Sequence, residues 1–183
     1  MIDYSVGSGN VDLSCVEIGP SLPLGDFTSL EHWQPERIGV LALYCSDWRW
    51  GEAYDEFCHK HLQIPRYDRW ALPGGPAWLV PPPGGEVSAA VREQLDFLVQ
   101  VHELDQIVLI THYGCAYYGQ RLQRSPQDCL ATQINDIWTA AALLRSWYPD
   151  VHVVTYLAMR MGNCLSFHRL DEEVLGGTGG SST

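Results

Sequence analysis

The sequence predicts one α/β domain built on a mostly parallel central β-sheet flanked by helices. Short apolar runs at residues 38–44 and 107–111 read as strands buried on both faces, and residues 151–157 read as a third strand. Stretches of helical periodicity at 86–104 and 126–147 alternate with the last two, and strands that alternate with helices build parallel crossover units. At 183 residues with 46% apolar content, the chain can bury one core of ordinary size.

Residues 1–27 carry Gly7, Gly9, Gly19, Pro20, Pro23 and Gly25 with little periodicity, the composition of an N-terminal arm lying on the body or on a partner. The domain itself is expected over 28–175. Its first strand, Ile38 to Tyr44, runs straight into Cys45, and Glu52 to Leu62 reads as a helix. Leu72-Pro73-Gly74-Gly75-Pro76 and Pro81-Pro82-Pro83-Gly84-Gly85 accommodate neither a helix nor a central strand, so a long irregular loop follows. From Glu86 to Leu104, Val87, Ala90, Val91, Leu95, Leu98 and Val99 recur at helical spacing. Ile107 to Thr111 is the second strand and leads directly into His112. A helix over Pro126 to Trp147 and a strand over Val151 to Leu157 complete the alternation, and residues 176–183 form a Gly/Ser-rich tail.

The formal charge of −11 and eleven scattered Lys and Arg residues leave no basic stripe for a phosphate backbone, so nucleic acid is excluded as a partner. No run of eighteen apolar residues occurs, and Met1-Ile2-Asp3-Tyr4 does not open a signal peptide; the expectation is a cytoplasmic protein with no membrane association. Six cysteines in such a chain serve as metal ligands or small buried hydrophobes more readily than as disulfides. Cys15, Cys129 and Cys164 are assigned to the core.

His112-Tyr113-Gly114-Cys115 sets an imidazole and a thiol three residues apart, and a tight turn at Gly114 can converge them on one ion. Cys45 can supply a third ligand, a set that suits Zn2+. In Cys45-Ser46-Asp47-Trp48-Arg49 an extended backbone would place Cys45, Asp47 and Arg49 on one face, with carboxylate and guanidinium in reach of each other. An Asp there either ligates the metal or accepts a hydrogen bond from its water; the plainer alternative is a surface ion pair. Cys58 and His61 share a helix face at another ligand spacing and form a rival pair.

Taken together, Cys-x-Asp-x-Arg after a buried strand, a Gly-rich loop, a helix and a strand ending in His-x-x-Cys resemble the β-class carbonic anhydrases. The resemblance spans about Trp33 to Phe167 and includes the Gly162-Asn163-Cys164-Leu165 turn, similar to that family's final strand pair. It implies that Cys45, His112 and Cys115 hold one Zn2+ per chain and that Asp47 and Arg49 form a catalytic dyad. It further implies a homodimer or higher homo-oligomer that hydrates CO2 reversibly to bicarbonate by zinc-bound hydroxide. The chain departs from the pattern at Ala71 to Pro76, where the family has an Arg-Asn-Ala-Gly-like stretch, and at Ala116, where it has Gly; both departures bear on the substrate. Two other readings stay open: a zinc hydrolase of carbonyl sulfide or carbon disulfide on the same fold, and a non-catalytic zinc-binding assembly protein in which Asp47 closes the site. Gly74 and Gly75 are expected to let backbone approach a small substrate, with Trp78, Leu79 and Val80 as walls. His59, His61 and Tyr117 are candidate proton relays.

Overall fold

The computed structural model describes residue 30 and residues 34–170, and those from Ile38 onward belong to one unit. The expected arm and tail lie outside the described residues, as does Cys15. Five strands order as β2-β1-β3-β4-β5, where β1 is Val40–Cys45, β2 Asp68–Leu72, β3 Gln106–His112, β4 His152–Met161 and β5 Cys164–Arg169. The first three pairings are parallel and β4 with β5 is antiparallel, so the sheet is the mostly parallel one expected. Four helices flank it: α1 (Trp48–Glu56), α2 (Ala89–Val101), α3 (Ala116–Leu122) and α4 (Pro126–Trp147).

Strand β1 shows why the apolar runs are unbroken. Side chains alternate across a strand, so Leu41 and Leu43 meet Leu95 of α2 and Ile137, Ala140 and Leu144 of α4 on one face. Val40, Ala42 and Tyr44 meet Trp50, Tyr54 and Phe57 on the other, where α1 lies. Each fully buried Leu or Ile contributes about 1.5–3 kcal/mol to this core. Helix α4 begins where expected, because Ser125 accepts the Asp128 N–H at 3.2 Å and Pro126 sits where no donor is needed. Among the described residues no helix is long and apolar enough to cross a membrane.

Several elements differ from expectation. Helix α1 starts at Trp48 and continues as a π-helical turn, Phe57–His61, so the expected helix at 52–62 begins four residues early. The Pro/Gly-rich segment contains a 3-10 turn, Gly75–Leu79, that buries Ala77 and Leu79. Strand β2 and helix α3 carry no sequence expectation: β2 is a half-exposed edge with Asp68 and Arg69, and α3 is seven residues long. Cys129 is buried as expected, whereas Cys164 is exposed, because it opens the edge strand β5 just past the Gly162 turn.

Candidate metal centre

The chain leaves β1 toward β2 on one side and then crosses to β3 on the other, so the strand order reverses between β1 and β3. Open α/β sheets bind ligands at the carboxyl ends of the strands at such a point. Cys45 is the last residue of β1 and His112 the last of β3; the backbone then turns through Gly114, at φ 73°, to Cys115, which caps α3. All three side chains are buried, and their donor atoms lie within 4.8 Å of one another. Cys45 Sγ and Cys115 Sγ are 3.7 Å apart. Two thiolates at ~2.3 Å from a tetrahedral ion would sit about 3.8 Å apart.

The imidazole is set for the same task. His112 Nδ1 donates to the Tyr113 carbonyl at 3.1 Å, which leaves the Nε2 lone pair free, and Nε2 is buried with no hydrogen-bond partner among the described residues. An orphaned nitrogen between two thiols costs free energy unless an ion takes it. Cys45 is held well below the usual thiol range, first by the hydrogen bond from Cys115 and then by His112 and the Gly74 N–H, against the opposing effect of burial. The same bond and burial push Cys115 upward. A cation held by both sulfurs would favour their thiolate forms and release protons.

Gly74 and Gly75 brace this cluster. The Gly74 N–H donates to Cys45 Sγ at 3.4 Å, with φ at 83°, and a β-carbon there would lie 2.4 Å from Tyr117 Cδ1. At Gly75 it would lie 2.9 Å from the Cys45 nitrogen. The adjacent cavity of about 280 Å³ is lined by Trp78, Val80, Tyr117 and Arg121 among others, not by the two glycines, and Leu79 turns fully into the core.

Asp47 and Arg49 do pair, though by a different route from the extended backbone expected. The chain enters α1 at Trp48, and Asp47 caps that helix by accepting the Arg49 N–H at 3.2 Å. Capping brings the guanidinium of the first turn onto the carboxylate: Nε lies 2.8 Å from Oδ1, and Nη2 lies 2.5 Å from Oδ2. That fork, ahead of burial, sets the Asp47 carboxyl below its ordinary range. Asp47 is thus tied at the rim and is not one of the three clustered donors.

Cys58 and His61 do not converge: Cys58 is fully buried, whereas His61 is exposed and stacks on Phe57 with centroids 5.2 Å apart. His59 and His61 lie in the turn after α1, whose other end carries Asp47, about 18 Å away along the axis. Tyr117 lines the cavity. Three residues beyond the motifs complete the surroundings. Trp50 covers His112 with ring centroids 4.8 Å apart, Tyr54 follows one turn later, and Gln133 Nε2 donates to the His112 carbonyl at 2.9 Å. The one advance sign of Gln133 is a polar side chain on the buried stripe of α4 that also carries Cys129, Ile137 and Ala140.

Solved structures similar to this chain include β-carbonic anhydrases. CafD of the fungus Aspergillus fumigatus aligns at 14% identity and TM-score 0.51 over 79% of this chain and 95% of its own, which establishes the shared fold. CafA of the same fungus aligns at 11% identity, TM-score 0.45, over 74% of this chain and 76% of its own. Isoform I from the protozoan Trichomonas vaginalis aligns at 15% identity, TM-score 0.42, over 78% and 87%. No curated protein sequence matches. The sequence family described as "Putative carbonic anhydrase" matches residues 36–164. With that match spanning both strand ends, the loop between them and all three clustered donors, this chain belongs to that carbonic anhydrase family.

Proposed function

We propose that the protein is a zinc-dependent carbonic anhydrase that interconverts CO2 and bicarbonate. The observation that carries this reading is a buried Cys45–His112–Cys115 cluster beside an Asp47 that Arg49 holds at the rim. The three donors would hold the ion; with three protein ligands, zinc supplies Lewis acidity and a coordinated water whose pKa falls toward neutrality. Asp47, with both oxygens tied to Arg49, acts as a hydrogen-bond acceptor that orients the attacking water toward the carbon of CO2. The Arg49 fork keeps the carboxylate from becoming a fourth ligand, which favours an open over a closed, purely structural site. Trp50 and the 3-10 turn exclude bulk water from the cluster. A homodimer or higher homo-oligomer belongs to this reading and is supported by the family resemblance.

The test is stopped-flow CO2 hydration between about pH 7 and about pH 9 on protein with its zinc quantified, beside Cys45→Ala. The expected result is about one zinc per chain and activity that the substitution abolishes. Bound zinc without CO2 hydration across that range refutes the reading and directs the assay to carbonyl sulfide and carbon disulfide.

A further inference from the structure

Helix α1 carries a second buried polar group at the centre that the mechanism above leaves unused. Tyr54 is 0% exposed, yet its hydroxyl has no hydrogen-bond partner among the described residues. Its ring packs against two residues that adjoin the Cys45–His112–Cys115 cluster. On one side lies Tyr44, the residue before Cys45, with centroids 4.6 Å apart; on the other, stacked at 6.4 Å, lies Trp50, which itself covers His112. Helical side chains lean toward the helix N-terminus, and the N-terminus of α1 is where Asp47 sits. The electrostatic neighbours agree. Burial raises the Tyr54 hydroxyl, and the charges of Cys45, Cys115, Asp47 and Tyr44, in that order, add to this effect. The adjacent Tyr44 instead feels Asp55 and Arg69. Tyr54 therefore presents a permanently protonated hydroxyl, a donor, toward the metal centre, and a desolvated donor without a partner is costly unless a ligand's oxygen accepts from it.

We propose that the Tyr54 hydroxyl is a hydrogen-bond donor to the bicarbonate bound at the Cys45–His112–Cys115 centre. The inference rests on the metal-centre reading and adds to it a group that recognises oxygen on the bound molecule. A neutral donor to a charged oxygen in a buried site is expected to tighten anion binding about 10- to 100-fold.

The experiment compares cobalt(II)-loaded wild type with Tyr54→Phe, which keeps the ring and removes the hydroxyl, by titrating bicarbonate at fixed pH against the cobalt visible absorption. Bicarbonate affinity is expected to fall about 10- to 100-fold, with the anion-free cobalt spectrum unchanged. The metal-free variant should unfold at the same or a higher temperature, since the hydroxyl has no internal partner to lose. Equal bicarbonate affinity overturns the proposal and leaves the metal centre standing. A changed anion-free spectrum, or a variant that is less stable or fails to fold, overturns it by giving the hydroxyl a structural role. A wild type that takes up neither cobalt nor zinc removes the metal-centre reading and the proposal together.

Discussion

Gly74→Ala tests whether the loop braces the Cys45–His112–Cys115 cluster or merely passes over it. The new β-carbon would stand 2.4 Å from Tyr117 Cδ1 and 2.8 Å from its Cγ, inside any tolerable contact, on a backbone at φ 83°. The left-handed conformation costs an ordinary residue about 1–2 kcal/mol. Displacing the Tyr117 ring adds about 1–3 kcal/mol of overpacking. The two together correspond to a fall in Tm of roughly 5–15 °C for a chain of this size. The steric part depends on Tyr117 and the conformational part does not. In a Tyr117→Ala background the same substitution should therefore cost only about 1–2 kcal/mol. Thermal unfolding of the four proteins of this cycle, each with zinc and with chelator, measures both parts. Zinc affinity should also drop about tenfold in the single variant as the N–H leaves Cys45 Sγ. A Gly74→Ala protein as stable as wild type, or one equally destabilised in both backgrounds, would refute the bracing argument.

Removing the fork on Asp47 should act on chemistry rather than on metal content. Arg49→Ala is expected to retain zinc by elemental analysis while CO2 hydration falls about 100-fold, and Arg49→Lys should recover little because lysine cannot engage both oxygens; activity within about twofold of wild type would sink the assigned role. Asp136, 5% exposed and 3.5 Å from Arg121, has its carboxyl raised above the ordinary 3.8, by burial first, with Tyr118 and Arg121 opposing. The unfolded carboxyl ionises before the folded one, so the associated stability is complete below pH 3.8 and drains as pH rises through the folded value. Urea unfolding should show Asp136→Asn gaining on wild type across that window; parallel pH profiles would contradict it.

The strands that carry Cys45 and His112 were legible in the sequence because burial on both faces writes an unbroken apolar run, as in β1 and β3. Helix α4 was legible to its ends because Ser125 and Pro126 are capping chemistry visible in one dimension. Strand β2 was not, since an edge strand with Asp68 and Arg69 is half exposed and lacks that pattern. The turn into α1 was misjudged because a cap at Asp47 and an extended continuation have the same local composition, and only the Arg49 hydrogen bonds separate them.

By itself the sequence determined the residue types of the centre and their positions at strand ends, because both follow from local spacing and burial. The tertiary structure alone decided that β1 and β3 are neighbours with Tyr44 opposite Ile110, which brings a thiol and an imidazole 67 residues apart into one cluster. It likewise decided that Gly74 contacts a thiol and that the buried Tyr54 hydroxyl has no hydrogen-bond partner among the described residues. Those contacts join segments distant along the chain, and periodicity reports the environment of a residue without naming the residues that provide it.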